Sequence, residues 1–203
     1  MPTRVCIIAA SLAFALVVLL AAAAAGVCSV IGGDLPDSGQ DLDLSSGGFI
    51  VTCVIGSGIH GDGMNLDAAQ ASNAAVISQI ASGLGIQPRP QAVTIALATA
   101  LQESDLRNLD YGTYDSLGIF QQRPDQGWGS PTQIMNPAYA AEQFYTHLAR
   151  VSDWWQMPLW AAAQAVQRSA YPTAYQAHAE QAAALQQFLA EHPDACTSTE
   201  NGN

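Results

Sequence analysis

The stretch whose reading decides the fold is ALQESDLRNLDYGTYDSLGIFQQRP, residues 100–124. It begins as the end of a helix. Val93, Ala96, Leu97, Ala100 and Leu101 recur at three- and four-residue spacing and make one buried stripe. That helix starts near Pro90, a favoured first-turn residue, and ends between Glu103 and Asn108. From Tyr111 to Pro124 the helical period is lost, and Gly112, Gly118 and β-type residues predict a small hairpin or irregular loop. Glu103 therefore stands at a helix C-terminus on apolar ground. The partial negative charge of the helix end and a low-dielectric setting both disfavour its charged form. A raised pKa is what a general acid needs near neutral pH. By position alone a solvated glutamate at a helix terminus is the simpler reading, so the downstream residues carry the weight.

Downstream, residues 116–121 read SLGIFQ. Gly118 lets backbone come close, and the Gln121 amide beside a carboxylic acid suits sugar hydroxyl or N-acetyl groups. Glu103-Ser104, followed by Gly118-Ile119-Phe120-Gln121, resembles the paired motifs of the soluble lytic transglycosylase and goose-type lysozyme superfamily. Over a longer run, roughly residues 65–175, the chain is similar to an actinobacterial-type extracytoplasmic lysozyme-like family. The resemblance implies a mainly α, lysozyme-like helical domain with a small hairpin or loop lobe. It also implies that Glu103 protonates the glycosidic oxygen between N-acetylmuramic acid and N-acetylglucosamine in the glycan strands of peptidoglycan. In lytic transglycosylation the same group then takes a proton from the sugar's 6-hydroxyl, and no second carboxylate is needed. An inverting hydrolase would need one about 6.5–9.5 Å away. Asp115 is the first candidate and Asp110 the next; Asp105 follows Glu103 by two and points elsewhere on a helix. Turn chemistry, which aspartate serves well, is the plainer role for both loop residues.

The chain departs from the superfamily in two places. Gln122 and Arg123 follow Gln121, where the superfamily has an apolar residue. Its later Tyr-Asn element, which supports the glutamate and the substrate, has no counterpart in AVQRSAYP, residues 165–172. Gln167, Arg168 and Tyr171 are the candidates for that neighbourhood. An arginine there either binds a carboxylate of the strand or pairs with Glu103 and depresses its pKa. Ser104 would orient Glu103, with Asp115, Ser116, Gln121 and Gln122 along the substrate. Tyr111 and Tyr114 flank the loop. Trp128, in the glycine-rich turn QGWGS, is a candidate sugar-stacking platform, while Phe120, Phe144, Trp154, Trp155 and Trp160 read as packing residues. The alternative from another class is a non-catalytic module that binds peptidoglycan or a partner in a cell-envelope complex.

The rest of the chain bounds these readings. The 203 residues suit one domain with appendages, and the apolar half is rich in alanine, which favours helices. Lysine is absent and the formal charge is −11, so no electrostatic means of holding a nucleic acid exists. No ligand cluster suggests a metal, His60 and Asp62 being read as a polar turn, and the chemistry calls for no cofactor. Arg4 precedes an apolar run over residues 5–31. A secretory core has about 7–15 residues and a membrane span roughly 20, so this segment reads as a signal peptide or a membrane anchor. The small residues 21–26 would suit cleavage, and Cys28 raises a lipoprotein reading that Val27 disfavours. Either way the chain beyond it is extracytoplasmic, secreted or held at the cell membrane.

Residues 32–48, rich in Gly, Ser and Asp, form a flexible acidic linker. The lysozyme-like domain spans 49–196, and 197–203 is a disordered tail. In an oxidising compartment Cys53 and Cys196 would pair and tie the domain's start to its end; Cys53 as a nucleophile beside His60 has little else in its favour. Residues 49–55 predict a strand or extended lead-in, and GSGIHGDG after it a loop. Asn65 would cap a helix to about Ser82, with Gly83 or Gly85 as the stop. Further helices open at Pro131, at Pro137 (to about Val151), at Pro158 and at Pro172 (to near His192).

Overall fold

The structure is a computed structural model, described over residues 50–53, 57–61, 64–193 and 196–199, the first and last of these as backbone. It is mainly helical, with six α-helices and two small antiparallel strand pairs. Strand β1 (Ile50–Cys53) pairs with β4 (Cys196–Thr199), in a register that sets Cys53 opposite Cys196. Strand β2 (Ile59–Gly61) pairs with β3 (Met64–Leu66). This hairpin corrects the expected loop. Ile59, Met64 and Leu66 are buried while His60 and Asn65 face outward, and the His60 ring bonds the Asn65 side-chain oxygen at 2.9 Å.

Helix α1 (Ala68–Leu84) is capped by Asp67, not Asn65, which is held in β3. Asp67 accepts from the Gln70 backbone N–H, and the Gln70 side chain accepts from the Asp67 N–H, a reciprocal capping box that fixes the start. Gly85, left-handed at φ 64°, closes it. Helix α2 (Arg89–Ser104) carries Pro in its first turn and buries nearly every residue from Ala92 to Leu101. Four more follow: α3 (Pro131–Ile134), α4 (Pro137–Leu148), α5 (Leu159–Gln167) and α6 (Ala179–Glu191). Ser130 and Asn136 cap α3 and α4 with their side chains. Helix α4 stops short of Val151 because the Arg150 and Val151 N–H groups turn back onto His147 and Leu148, three residues behind. Beyond Pro172 comes a 3-10 stretch, Ala174–His178, before α6 begins.

Helix α2 is the centre of the fold. It packs against α1, α5, α6 and the 3-10 stretch, and α1 in turn packs on α4. Around it Ile77, Leu97, Phe120, Phe144, Tyr145 and Leu185 are sealed from solvent. Phe120 and Phe144 stack at 4.7 Å, fastening the loop after α2 to α4 as core residues. Among the described residues no helix is long and apolar enough to cross a membrane. The apolar segment 1–31, the linker 32–48 and residues 200–203 of the expected tail lie outside the described residues, while its residues 197–199 stand in β4.

Candidate active site

Glu103 occupies the last turn of α2, and the chain around it is built to hold that turn still. Gln70 on α1 donates to the Asp105 backbone and carboxylate oxygens at 2.8 and 3.0 Å, and Asn73 donates to the Leu106 carbonyl at 2.7 Å. Arg107 pairs with Asp67 at 2.9 Å. The first turns of α1 thus clamp the residues that end α2. Asp105 and Leu106 are both left-handed, at φ 53° and 59°, a conformation that costs a non-glycine residue about 1–2 kcal/mol. The Leu106 N–H bonds the Ala100 carbonyl at 3.1 Å and its side chain is fully buried, which holds the turn in place. Tyr114, Gln121 and Arg168 also have positive φ, leaving Asp153 the one such non-glycine residue far from these segments among those described. Strained backbone of this kind gathers at functional sites.

The Glu103 side chain is partly buried. Its Oε1 accepts a hydrogen bond from the Tyr175 hydroxyl at 2.8 Å. Burial pushes the carboxyl above the ordinary glutamate value, while the Tyr175 hydroxyl and the Gln167 amide pull it partway back. Tyr175 is itself fully buried, and burial together with the neighbouring Glu103 carboxylate raises its pKa well above the usual tyrosine range, so it remains a proton donor. Tyr175 was not among the sequence candidates. It lies three residues past the 165–172 segment, in the 3-10 stretch that replaces the expected helix start.

The loop lobe is fastened beside Glu103 at two points. The Ser104 hydroxyl donates to the Ile119 carbonyl at 2.7 Å, and Gln167 Nε2 donates to the Phe120 carbonyl at 2.8 Å. Ser104 is buried, so its hydroxyl secures the loop instead of meeting a ligand. Leu117 and Gln122 bond reciprocally, each N–H to the other's carbonyl at 2.9 Å, which closes the expected small hairpin. Gly118 at its turn has φ 76°, and a Cβ there would come within 2.7 Å of the Ile134 carbonyl. Gly112 is equally required, because a Cβ would come within 2.7 Å of the Ser116 backbone carbonyl oxygen.

The other sequence candidates separate into two groups. Gln121 lies at the surface of the hairpin, its amide donating to the Tyr111 and Gly118 carbonyls at 3.3 and 3.2 Å. Tyr111 and Tyr171 are well exposed, and Arg168 stands one residue beyond Gln167 with its side chain outward. Tyr111 and Gln121 thus stand on the loop lobe, and Arg168 and Tyr171 at and just beyond the end of α5. Gln122, by contrast, is 1% exposed and its amide donates to the Ala140 carbonyl at 3.0 Å, so it supports the hairpin from within. Ser116 is likewise buried. Trp128 lays one face on the His147 ring, with centroids 4.1 Å apart, and packs on the core, which leaves it no open platform on that side.

The carboxylates proposed to assist Glu103 are largely committed. Asp115 is bridged by Arg123 at 2.7 Å and accepts from the Asp125 N–H at 3.0 Å. The Arg123 bond and that N–H hold it below the ordinary aspartate value. The Arg123 guanidinium also lies 4.8 Å over the Tyr114 ring. Asp105 accepts from Gln70, and Asp110 is exposed without a hydrogen-bond partner among the described residues. No ion pair joins Arg168 to Glu103 among the described residues. No group of three or more His, Cys, Asp or Glu side chains is arranged to hold a metal ion among them either. In comparison with known proteins, no family model matches the chain and no curated protein is similar to it.

Proposed function

We propose that the chain cleaves the glycan strands of peptidoglycan between N-acetylmuramic acid and N-acetylglucosamine, with Glu103 as the catalytic acid. One observation carries this reading: a single partly buried carboxyl, pushed up by burial and held by the Tyr175 hydroxyl, at the rigid end of the central helix. A lysozyme-like fold accounts for that helix, for the hairpin fastened beside it, and for a tyrosine reaching back to the glutamate from the later helical stretch.

The route follows from the carboxylates. With Asp115 engaged by Arg123 and Asp105 by Gln70, intramolecular attack is the better supported course. Glu103 gives its proton to the glycosidic oxygen as the C1–O bond breaks, and the alcohol of the next sugar leaves. The muramyl 6-hydroxyl oxygen then bonds C1 and surrenders its proton to the Glu103 carboxylate, which regenerates the acid and leaves a 1,6-anhydro ring. A group that serves as acid and then as base works best with a pKa near the working pH, toward which burial moves this one.

The chain would act outside the cytoplasm, secreted or anchored through residues 1–31. The backbone register of β1 and β4 supports this placement. Directly opposed residues of an antiparallel pair have Cα atoms about 4.5–5.5 Å apart, within the roughly 4.4–6.8 Å that a disulfide spans. Cys53 and Cys196 are such a pair, and oxidation would lock the domain's first and last strands together. Mass analysis of unreduced protein after thiol labelling would show both cysteines unlabelled if they are bridged.

Digestion of purified peptidoglycan by the full chain and by its Glu103→Gln variant tests the function. Anhydro ends from the wild type alone support the proposal. Reducing ends assign hydrolysis. Binding without release above the variant's background assigns the non-catalytic alternative.

A further inference from the structure

Three tyrosines are well exposed, Tyr111, Tyr114 and Tyr171. Tyr114 is the most open, at 85%. Among the described residues it is also the one of the three whose ring has a partner: the Arg123 guanidinium lies over one face, 4.8 Å from the centroid. Arg123 is fixed in turn. Its Nε donates to Asp115 Oδ1 at 2.7 Å and its Nη2 to Asp125 Oδ2 at 2.6 Å. Asp115 Oδ2 accepts from the Asp125 backbone N–H at 3.0 Å. The ring therefore rests on a guanidinium that cannot swing away without giving up two charged hydrogen bonds, and its other face is open to solvent.

The backbone presents Tyr114 in the same way. The Ser116 N–H bonds the Thr113 carbonyl at 3.3 Å and closes a four-residue turn in which Tyr114 is second, left-handed at φ 60°. That place in such a turn ordinarily belongs to glycine, because a Cβ crowds the backbone there. The turn is tied down on both sides. Gly112 brings the chain against the Ser116 carbonyl before it, and Leu117 pairs with Gln122 after it. A bulky ring thus occupies a glycine position at the tip of a fixed turn, with little packing to offset the strain. Folding gains nothing from that choice, and strain of this kind gathers where ligands are held. Trp128, the other aromatic first considered for sugar stacking, has laid one face on the His147 ring and packs on the core.

We infer that Tyr114, backed by Arg123, is a stacking platform for a pyranose ring, that of a neutral N-acetylhexosamine of the glycan strand. For the identity of its ligand the inference rests on the proposed peptidoglycan reading, and it adds a subsite that grips the strand by a sugar face. A β-linked pyranose with equatorial substituents presents a face of axial C–H bonds, whose polarised hydrogens suit the negative face of an aromatic ring. A tyrosine has two side-chain torsions, and these are already immobilised, so little freedom is lost on binding. The charge balance selects a neutral ligand. The one guanidinium is neutralised by two carboxylates, in a chain of net charge −11 that repels anions. One hydrogen bond from the stack, Asp125 Oδ1 has no partner among the described residues and is an acceptor for a sugar hydroxyl. The Asp115–Arg123 bridge thereby has a task outside acid–base chemistry, which is to steady the platform.

The test titrates the full chain, as Glu103→Gln so that nothing is cleaved, with tri-N-acetylchitotriose, a neutral β-1,4 oligomer of N-acetylglucosamine. Binding is followed by calorimetry and by the Tyr114 ring resonances. The expected result is saturable binding that shifts those resonances and changes little with salt. Affinity falls about tenfold in Tyr114→Ala and is kept in Tyr114→Phe and Tyr114→Trp. Tyr114→Gly, which suits the left-handed backbone, folds as stably as the parent and loses the sugar to the same extent. No binding of the oligomer, or an affinity that survives in Tyr114→Ala or Tyr114→Gly, overturns the inference. A lowered unfolding temperature in Tyr114→Ala with sugar affinity intact overturns it in favour of a structural role for the ring. Tighter binding of a proline-rich peptide than of the sugar overturns it in favour of a protein partner. Release of strand ends from peptidoglycan by the wild type is read separately by mass analysis. Sugar binding through Tyr114 without release leaves the platform standing and removes the glycosidase reading, and release with a dispensable Tyr114 does the reverse.

Discussion

Two carboxylates at either end of one loop are treated in opposite ways. Glu103 lies against the core with one neutral donor, the Tyr175 hydroxyl, and burial raises its pKa. Asp115, twelve residues on, lies at the surface with a guanidinium and a backbone N–H on its oxygens, and its pKa falls. The first is kept ready to hold a proton and the second is kept ionised. Environments that push two titratable groups apart in this way are what assign acid and base roles in glycosidases. Here the difference goes further, because the ionised partner is already occupied. The comparison therefore argues for chemistry that runs on one carboxyl.

The sharpest way to break the comparison is Glu103→Gln. General acid–base catalysis contributes about 10²–10⁴-fold, so strand cleavage should fall by about that factor while binding to peptidoglycan persists. Stability should move the other way. The folded state raises this pKa, so the folded chain binds the proton more tightly than the unfolded chain. The resulting stabilisation is full below the ordinary glutamate value of 4.5 and is lost as pH rises through the raised value. The glutamine variant has no proton to lose. Its unfolding temperature should therefore exceed that of wild type at neutral pH and converge with it in acid. A variant no more stable at neutral pH would show that Glu103 is well solvated.

Gly118→Ala tests the hairpin that separates the two regions. A left-handed alanine whose Cβ meets the Ile134 carbonyl at 2.7 Å should cost about 2–4 kcal/mol in denaturant unfolding. Tyr175→Phe acts more narrowly. It leaves the buried Glu103 oxygen without its donor, at about 1–3 kcal/mol. The lost hydroxyl had favoured the ionised form, so the Glu103 pKa rises further and the basic limb of the pH–rate profile moves to higher pH. A limb that stays in place would remove Tyr175 from the site.

Much of the first region was legible in residues 100–124. The apolar stripe of α2 ran into Glu103, and Gly112 and Gly118 marked a hairpin whose close contacts do exclude a Cβ. Tyr175 was not legible, because its partner is 72 positions away and its own neighbourhood reads as the first turn of an ordinary helix. The β2–β3 hairpin leaves a faint signal, since Ile59, Met64 and Leu66 alternate with polar residues around Asp62-Gly63, a strong hairpin-turn dipeptide. The three-residue strands are too short for a period to stand out. The roles of Ser104 and Gln122 also lay beyond the sequence. Both look like ligand-facing polar residues, and only packing shows that the Ser104 hydroxyl is spent on the Ile119 carbonyl of the lobe and the Gln122 amide N–H on the Ala140 carbonyl of α4.

Asp115→Asn gives the smallest effect and the finest distinction. The folded state lowers this pKa, so the aspartate's contribution to stability is present above its ordinary value of 3.8 and lost as pH falls through the lowered one. The bridge to Arg123 is exposed, and such pairs contribute little and are screened by salt. The variant should thus unfold only slightly below wild type at neutral pH, with the gap closing in acid and in high salt. Its cleavage of peptidoglycan should stay close to wild type and should still leave anhydro ends. If activity instead drops to the level of Glu103→Gln and the wild-type products carry reducing ends, Arg123 must release Asp115 when substrate binds. The pair would then work as acid and base across a water, and the one-carboxyl route would give way to hydrolysis.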